Sequence, residues 1–142
     1  MKKRILTIVS VLALAAVLVI SLVACIPSDP AKARENLEDE GFFVLPELLT
    51  APIVASLSLA VEGFDEMIYA TDISAEAILQ DQTPGEAIII LYFDSSDNAK
   101  AFYEGDIIQE LKEEVDKEGT AQLKKQGKIV YIGTEAAIKA AK

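Results

Sequence analysis

Few residues in this 142-residue chain can carry chemistry. There is one cysteine, Cys25, and no histidine. Without an imidazole, neither a Ser-His-Asp nor a Cys-His nucleophilic system can be assembled. Zinc sites built on histidine and cysteine are excluded for the same reason. Gly105, Gly119, Gly127 and Gly133 stand singly as stops and turns, so no glycine-rich phosphate loop is present. Carboxylates remain. Asp94 and Asp97 bracket Ser95 and Ser96, a spacing that can offer oxygen ligands to Ca²⁺. The glycine and distal glutamate of an EF-hand loop are missing, however. The better reading is a helix cap with an aspartate in the first turn. Glu38-Asp39-Glu40 and the group Glu113, Glu114 and Asp116 read as solvated faces. A carboxylate pair for glycoside hydrolysis would have to face across a cleft, which the short predicted loops do not build. No catalytic residue, metal ligand or cofactor is therefore expected. Tyr92 and Tyr131 fall in predicted strands and read first as packed aromatics. The alternative is that both point to an open sheet face and line a surface for a ligand or peptide.

The remaining reactive atom is the Cys25 thiol, and its context assigns it a role. Lys2, Lys3 and Arg4 precede an uncharged run from Ile5 to Val23. A basic start, an apolar middle and small residues before a cut are the marks of an export signal. The run closes on Leu22-Val23-Ala24-Cys25, which resembles the lipobox of bacterial lipoproteins. The resemblance implies that Cys25 receives a diacylglyceryl group and becomes the new N-terminus. Each buried lipid CH₂ contributes about 0.8 kcal/mol, and two chains give stable anchoring where one does not. Two other readings stay open. The apolar run is long enough to span a bilayer as an uncleaved helix, with its basic flank kept inside. An ordinary cleaved signal would leave Cys25 as an odd free thiol. Ile26 follows the cysteine where some Gram-negative lipoproteins carry the aspartate that retains them at the inner membrane, so a Gram-positive-type source is expected.

Residues 1–24 are thus read as a lipoprotein signal peptide, 25–29 as a short lipidated tether, and 30–142 as one small acidic α+β domain. The formal charge is −10, and loss of Lys2, Lys3 and Arg4 takes it to −13. That balance argues against nucleic acid and against wide contact with anionic lipid. It is uneven: residues 25–120 hold 22 acids and 5 bases, whereas residues 121–142 hold 5 lysines and 1 acid. Lys124, Lys125 and Lys128 read as a solvated turn. With Cys25 acylated no disulfide is available, so packing alone must hold the domain together.

The elements that would position these residues follow from periodicity and punctuation. Asp29-Pro30 reads as an N-cap with proline at the first helical position, opening a helix to Glu40 that Gly41 stops. Phe42–Leu45 reads as a short strand. Ala51-Pro52 opens a second helix, Ile53 to Glu62, although a strand fits the same residues. Phe64 to Asp72 reads as a strand, residues 73–86 are ambiguous, and the unbroken run Ala87–Phe93 reads as a central strand buried on both sides for part of its length. A long helix from Asn98 to Lys117 presents Ala99, Phe102/Tyr103, Ile107, Leu111 and Val115 at helical spacing, with Gly105 inside it. Ile129–Ile132 is a last strand, and Thr134 caps a final helix, Glu135 to Ala141. The order is β-α-β-β-α-β with an extra helix at each end, the ferredoxin-like arrangement of an antiparallel sheet.

Asn-Leu-Glu-x-x-Gly-Phe (36–42), Ile-x-x-Tyr-Phe (89–93), Ala-x-x-x-Tyr (99–103) and Val-Tyr-x-Gly-Thr (130–134), placed behind a lipobox, resemble small uncharacterised lipoproteins of Gram-positive bacteria. The resemblance implies a cell-membrane protein, lipid-anchored on the extracytoplasmic face, and it implies no activity. The expected role is a non-catalytic module that binds an envelope protein or a small ligand, with membrane lipid held through Cys25. The alternatives are a small carboxylate-based or divalent-cation enzyme, or an accessory subunit of a membrane transporter.

Overall fold

Ala87–Phe93 (β3) is the middle strand of a five-stranded antiparallel sheet. The computed structural model describes residues 25–142; the signal segment 1–24, including Leu22, Val23 and Ala24, lies outside the described residues. The sheet runs β1-β2-β3-β5-β4, where β1 is Phe43–Val44, β2 Phe64–Thr71, β4 Gln122–Gln126 and β5 Ile129–Gly133. Among the described residues six helices accompany it: α1 Pro30–Asp39, α2 Glu47–Ala60, α3 Ala75–Leu79, α4 Ser96–Tyr103, α5 Asp106–Glu118 and α6 Glu135–Ala141. The class is α+β with helices at both ends, and it is broadly compatible with the ferredoxin-like plan. A fifth strand is added to the expected four.

Strand alternation divides the core in two. Ile88, Ile90 and Tyr92 of β3 point to one face, joined by Ile68, Ala70, Ile129 and Tyr131. Helices α1 and α6 close this face with Ala33, Leu37, Ala137 and Ile138. Ile89, Leu91 and Phe93 point to the other face with Met67, Leu123 and Val130. There Val54 and Leu57 of α2, Phe102 of α4 and Ile108 of α5 cover them. The six residues Ile88–Phe93 therefore pack on one side or the other, which is why the sequence there is an unbroken apolar run.

Local chemistry accounts for most element ends. The Asp29 carboxylate accepts from the Ala31 amide at 3.0 Å and Pro30 follows, as expected of a cap. After α1 the Phe42 amide donates to the Leu37 carbonyl and the Gly41 amide to that of Glu38, the two bonds of a Schellman ending. Residues 52–60 resolve to helix; α2 begins at Glu47, carries Pro52 inside it and ends at Ala60, short of the expected Glu62. Ser56 and Ser58, whose alternation suggested a strand, instead donate back to the carbonyls of Pro52 and Val54.

Three expectations are corrected. Lys124 and Lys125 do not sit in a turn. They lie in β4, an edge strand paired with β5, and Lys128 belongs to the Gly127-Lys128 hairpin loop. Gly127 takes φ +56° there, the first-position conformation that a two-residue hairpin favours. Second, the single helix 98–117 is two helices. Gly105 is extended and serves as N-cap of α5, and the Gln109 side chain donates to the freed Tyr103 carbonyl at 2.7 Å. The break resets the helical phase, so Ile108 turns to the sheet and Ile107 turns out, 80% exposed. Third, the core begins inside the short tether expected over 25–29. Ile26 is 1% exposed and sits in the core.

Candidate functional site

Two places combine position with chemistry: the seat of Cys25, and a groove on the opposite side of the sheet.

Cys25 is exposed, yet its neighbour is fastened. The Ile26 amide donates to Gln126 Oε1 at 3.1 Å, and Gln126 Nε2 donates to the Ile26 carbonyl at 2.9 Å. One primary amide thus supplies the donor and acceptor that a neighbouring strand residue would offer. The Tyr92 hydroxyl donates to the Pro27 carbonyl at 3.2 Å. Burial raises the Tyr92 pKa, and the carboxylates of Glu66 and Asp29 raise it further against the opposing Arg34. The phenol therefore stays protonated and keeps donating across the neutral range. Burial likewise raises the pKa of Tyr131, with Cys25 adding to it.

Tyr92 and Tyr131 do share a sheet face, but that face is closed. They are 4% and 6% exposed, packed beneath Ile26, α1 and α6. They line no open surface for a ligand or peptide; Tyr92 holds Pro27 through its hydroxyl and Tyr131 packs in the core. The extra helices expected at the two ends are what cover them.

The groove lies where α2 ends and α4 meets α5. It encloses about 570 Å³ and is walled by Val61, Ala101, Phe102, Ile107 and Ile108, a volume within the usual range for ligand pockets. Glu62 and Asp106 stand among its lining residues, which include no lysine or arginine. Next to the lining residue Glu62, Gly63 takes φ +72°, and a Cβ there would collide with Asn98 and Asp94, so this position favours glycine. The groove owes its existence to the Gly105 break, and a continuous-helix reading of 98–117 hides it.

The other residues singled out in the sequence are structural. Ser95 caps α4 by accepting from the Asn98 amide at 3.1 Å, with Asp97 in the first turn. The Asp94 carboxylate accepts from Asn98 Nδ2 at 2.7 Å. Glu38, Asp39, Glu40, Glu113, Glu114 and Asp116 are exposed, and Asp116 pairs with Lys112 at 2.8 Å. Among the described residues, no three Asp, Glu or Cys side chains converge as a metal would require. No helix among them is long and apolar enough to cross a membrane. Comparison of the chain with protein-family models, with curated proteins and with solved structures returns no match in any of the three.

Proposed function

We propose that this chain is a lipid-anchored protein of the extracytoplasmic membrane face, and that its domain is a non-catalytic binding module. The observation that carries the reading is the seat of Cys25. The thiol is exposed one residue before a buried, doubly hydrogen-bonded isoleucine. A diacylglyceryl group on that sulfur would leave the domain at a fixed attachment point, with almost no slack between lipid and core. The lipobox-like Leu22-Val23-Ala24 before it supports the modification, and the groove between α2 and the α4–α5 joint supports binding.

The test is the intact mass of the membrane-fraction protein from a bacterial host, beside a Cys25→Ser variant. Lipidation gives the mass of residues 25–142 plus a diacylglyceryl group, and the variant loses it. An unmodified full-length mass overturns the anchor and leaves an uncleaved signal helix with a free thiol.

A further inference from the structure

We infer that the groove between α2 and the α4–α5 joint docks a basic amphipathic helix of a partner protein. The inference rests on the binding-module reading and gives that module's partner a chemistry.

Of the exposed large apolar residues Ile107 lines the groove and Leu111 follows it along α5, and the helix that ends at the groove, α2, exposes more along its length. Leu48, Leu49, Ile53 and Leu59 are exposed on α2, and Ile107 and Leu111 on α5. Of the large apolar residues exposed among the described residues, only Leu79 lies off these two helices. Monomers rarely leave such residues in one neighbourhood unless something covers them. Ile107 and Leu111 are spaced i and i+4, so they form a ridge one turn long on α5. That ridge leads away from the cavity, and a small molecule filling the cavity would leave it wet. A helix with apolar residues about one turn apart can fill the groove with one side chain and lie on the ridge with the next.

Charge selects among helices and against other occupants. Glu62 and Asp106 line the groove and no base does. Of the lysines on α4 and α5, Lys100 and Lys112 are engaged by Glu104 and Asp116, and Lys117 stands in the last turn of α5, at the opposite end of that helix from Asp106. A flanking lysine or arginine on the partner therefore meets unneutralised carboxylates. A second copy of this chain would bring its own excess acid. An anionic bilayer is repelled in the same way, and Ile26, which follows the attachment point, packs on the opposite face of the sheet.

The experiment uses the full chain in phosphatidylcholine nanodiscs, with empty nanodiscs subtracted. It is titrated with a Leu/Lys amphipathic peptide of about 18 residues, five helical turns. Saturable micromolar binding is expected, weakening with salt. Ile107→Ser removes an exposed side chain without changing charge, and it should weaken binding about tenfold while circular dichroism stays the same. Glu62→Gln should weaken it less and flatten the salt dependence. A Leu/Glu peptide of the same pattern should not bind.

Absence of saturation, equal binding of the Leu/Glu peptide, or affinity unchanged by Ile107→Ser overturns the inference. The last result moves binding elsewhere and leaves the module reading standing. Self-association in sedimentation that Ile107→Ser abolishes would give the groove to a second copy and also overturn it. The mass test of Cys25 is independent, so loss of the anchor and loss of the groove are separate outcomes.

Discussion

The helices on the two faces of the sheet are built from different material. Helices α1 and α6 meet it through Ala33, Ala137, Ala140 and Ala141 with Leu37 and Ile138, and none of the exposed large apolar residues lies on them. On the other face α2, α4 and α5 cover Phe64, Met67 and Phe93, and α2 and α5 also leave large apolar side chains exposed. Small residues bring a helix close, and the density of contact does the stabilising. An apolar outer side contributes nothing to the isolated fold, because its surface stays in water. The helices of the first face turn all their large apolar side chains inward, whereas those of the second leave Leu48, Leu49, Ile53, Leu59, Ile107 and Leu111 in water.

Core truncation on the first face is the strongest way to break this contrast. Leu37→Ala should cost about 3 kcal/mol in urea unfolding, because Leu37 is fully buried. A cost under ~1 kcal/mol would mean that the α1 layer is loose after all. Next is the seat of Ile26. Gln126→Ala removes both of its hydrogen bonds and should cost about 2 kcal/mol, with faster amide exchange at Ile26. Gln126→Glu sharpens the point: the carboxylate can accept from the Ile26 amide but cannot donate to its carbonyl, so about half the loss should return.

Tyr92→Phe should cost about 1 kcal/mol at pH 7, the worth of one hydrogen bond. Its pH dependence has a definite sign. The folded chain holds the phenolic proton more tightly than the unfolded chain, since the folded pKa is raised. The contribution is complete below the ordinary tyrosine value of about 10 and is lost as pH climbs through the raised one. Alkaline melting curves should fall less steeply above that value in the variant. The smallest effect belongs to the other layer. Ile107→Ser and Leu59→Ser change side chains 80% and 91% exposed and should shift stability by no more than about 0.5 kcal/mol. A larger loss in either would make the outer surface part of the fold and dissolve the contrast.

What the sequence announced, and what it hid, divides along physical lines. Ala87–Phe93 was legible because burial on both faces leaves no polar position. The caps at Asp29 and Thr134 were legible because their residue types have a local reason to be there, although Thr134 makes no side-chain capping bond. Strand β4 was hidden. Its Gln-Leu-Lys-Lys-Gln buries only Leu123, and lysines on an edge discourage further pairing while masking the strand. The groove was hidden because apolar spacing runs straight through Gly105, while the backbone does not. Ile26 was hidden because nothing in three residues says that a side chain from β4 will hold them. Tyr92 and Tyr131 were placed on one face correctly, but whether that face is open depends on α1 and α6, which no local pattern reports.

The amide of Gln126 joins residues 100 positions apart, and Asn36 reaches the Ala141 carbonyl across 105. Closing a loop of that length costs about 4 kcal/mol of chain entropy, and non-local contacts of this kind slow folding. A chain emerging N-terminus first cannot seat Ile26 until β4 has been made, nor complete the α1–α6 layer until α6 has. The domain is thus timed to lock late. Until β4 is in place Ile26 has neither its two hydrogen bonds to Gln126 nor its burial.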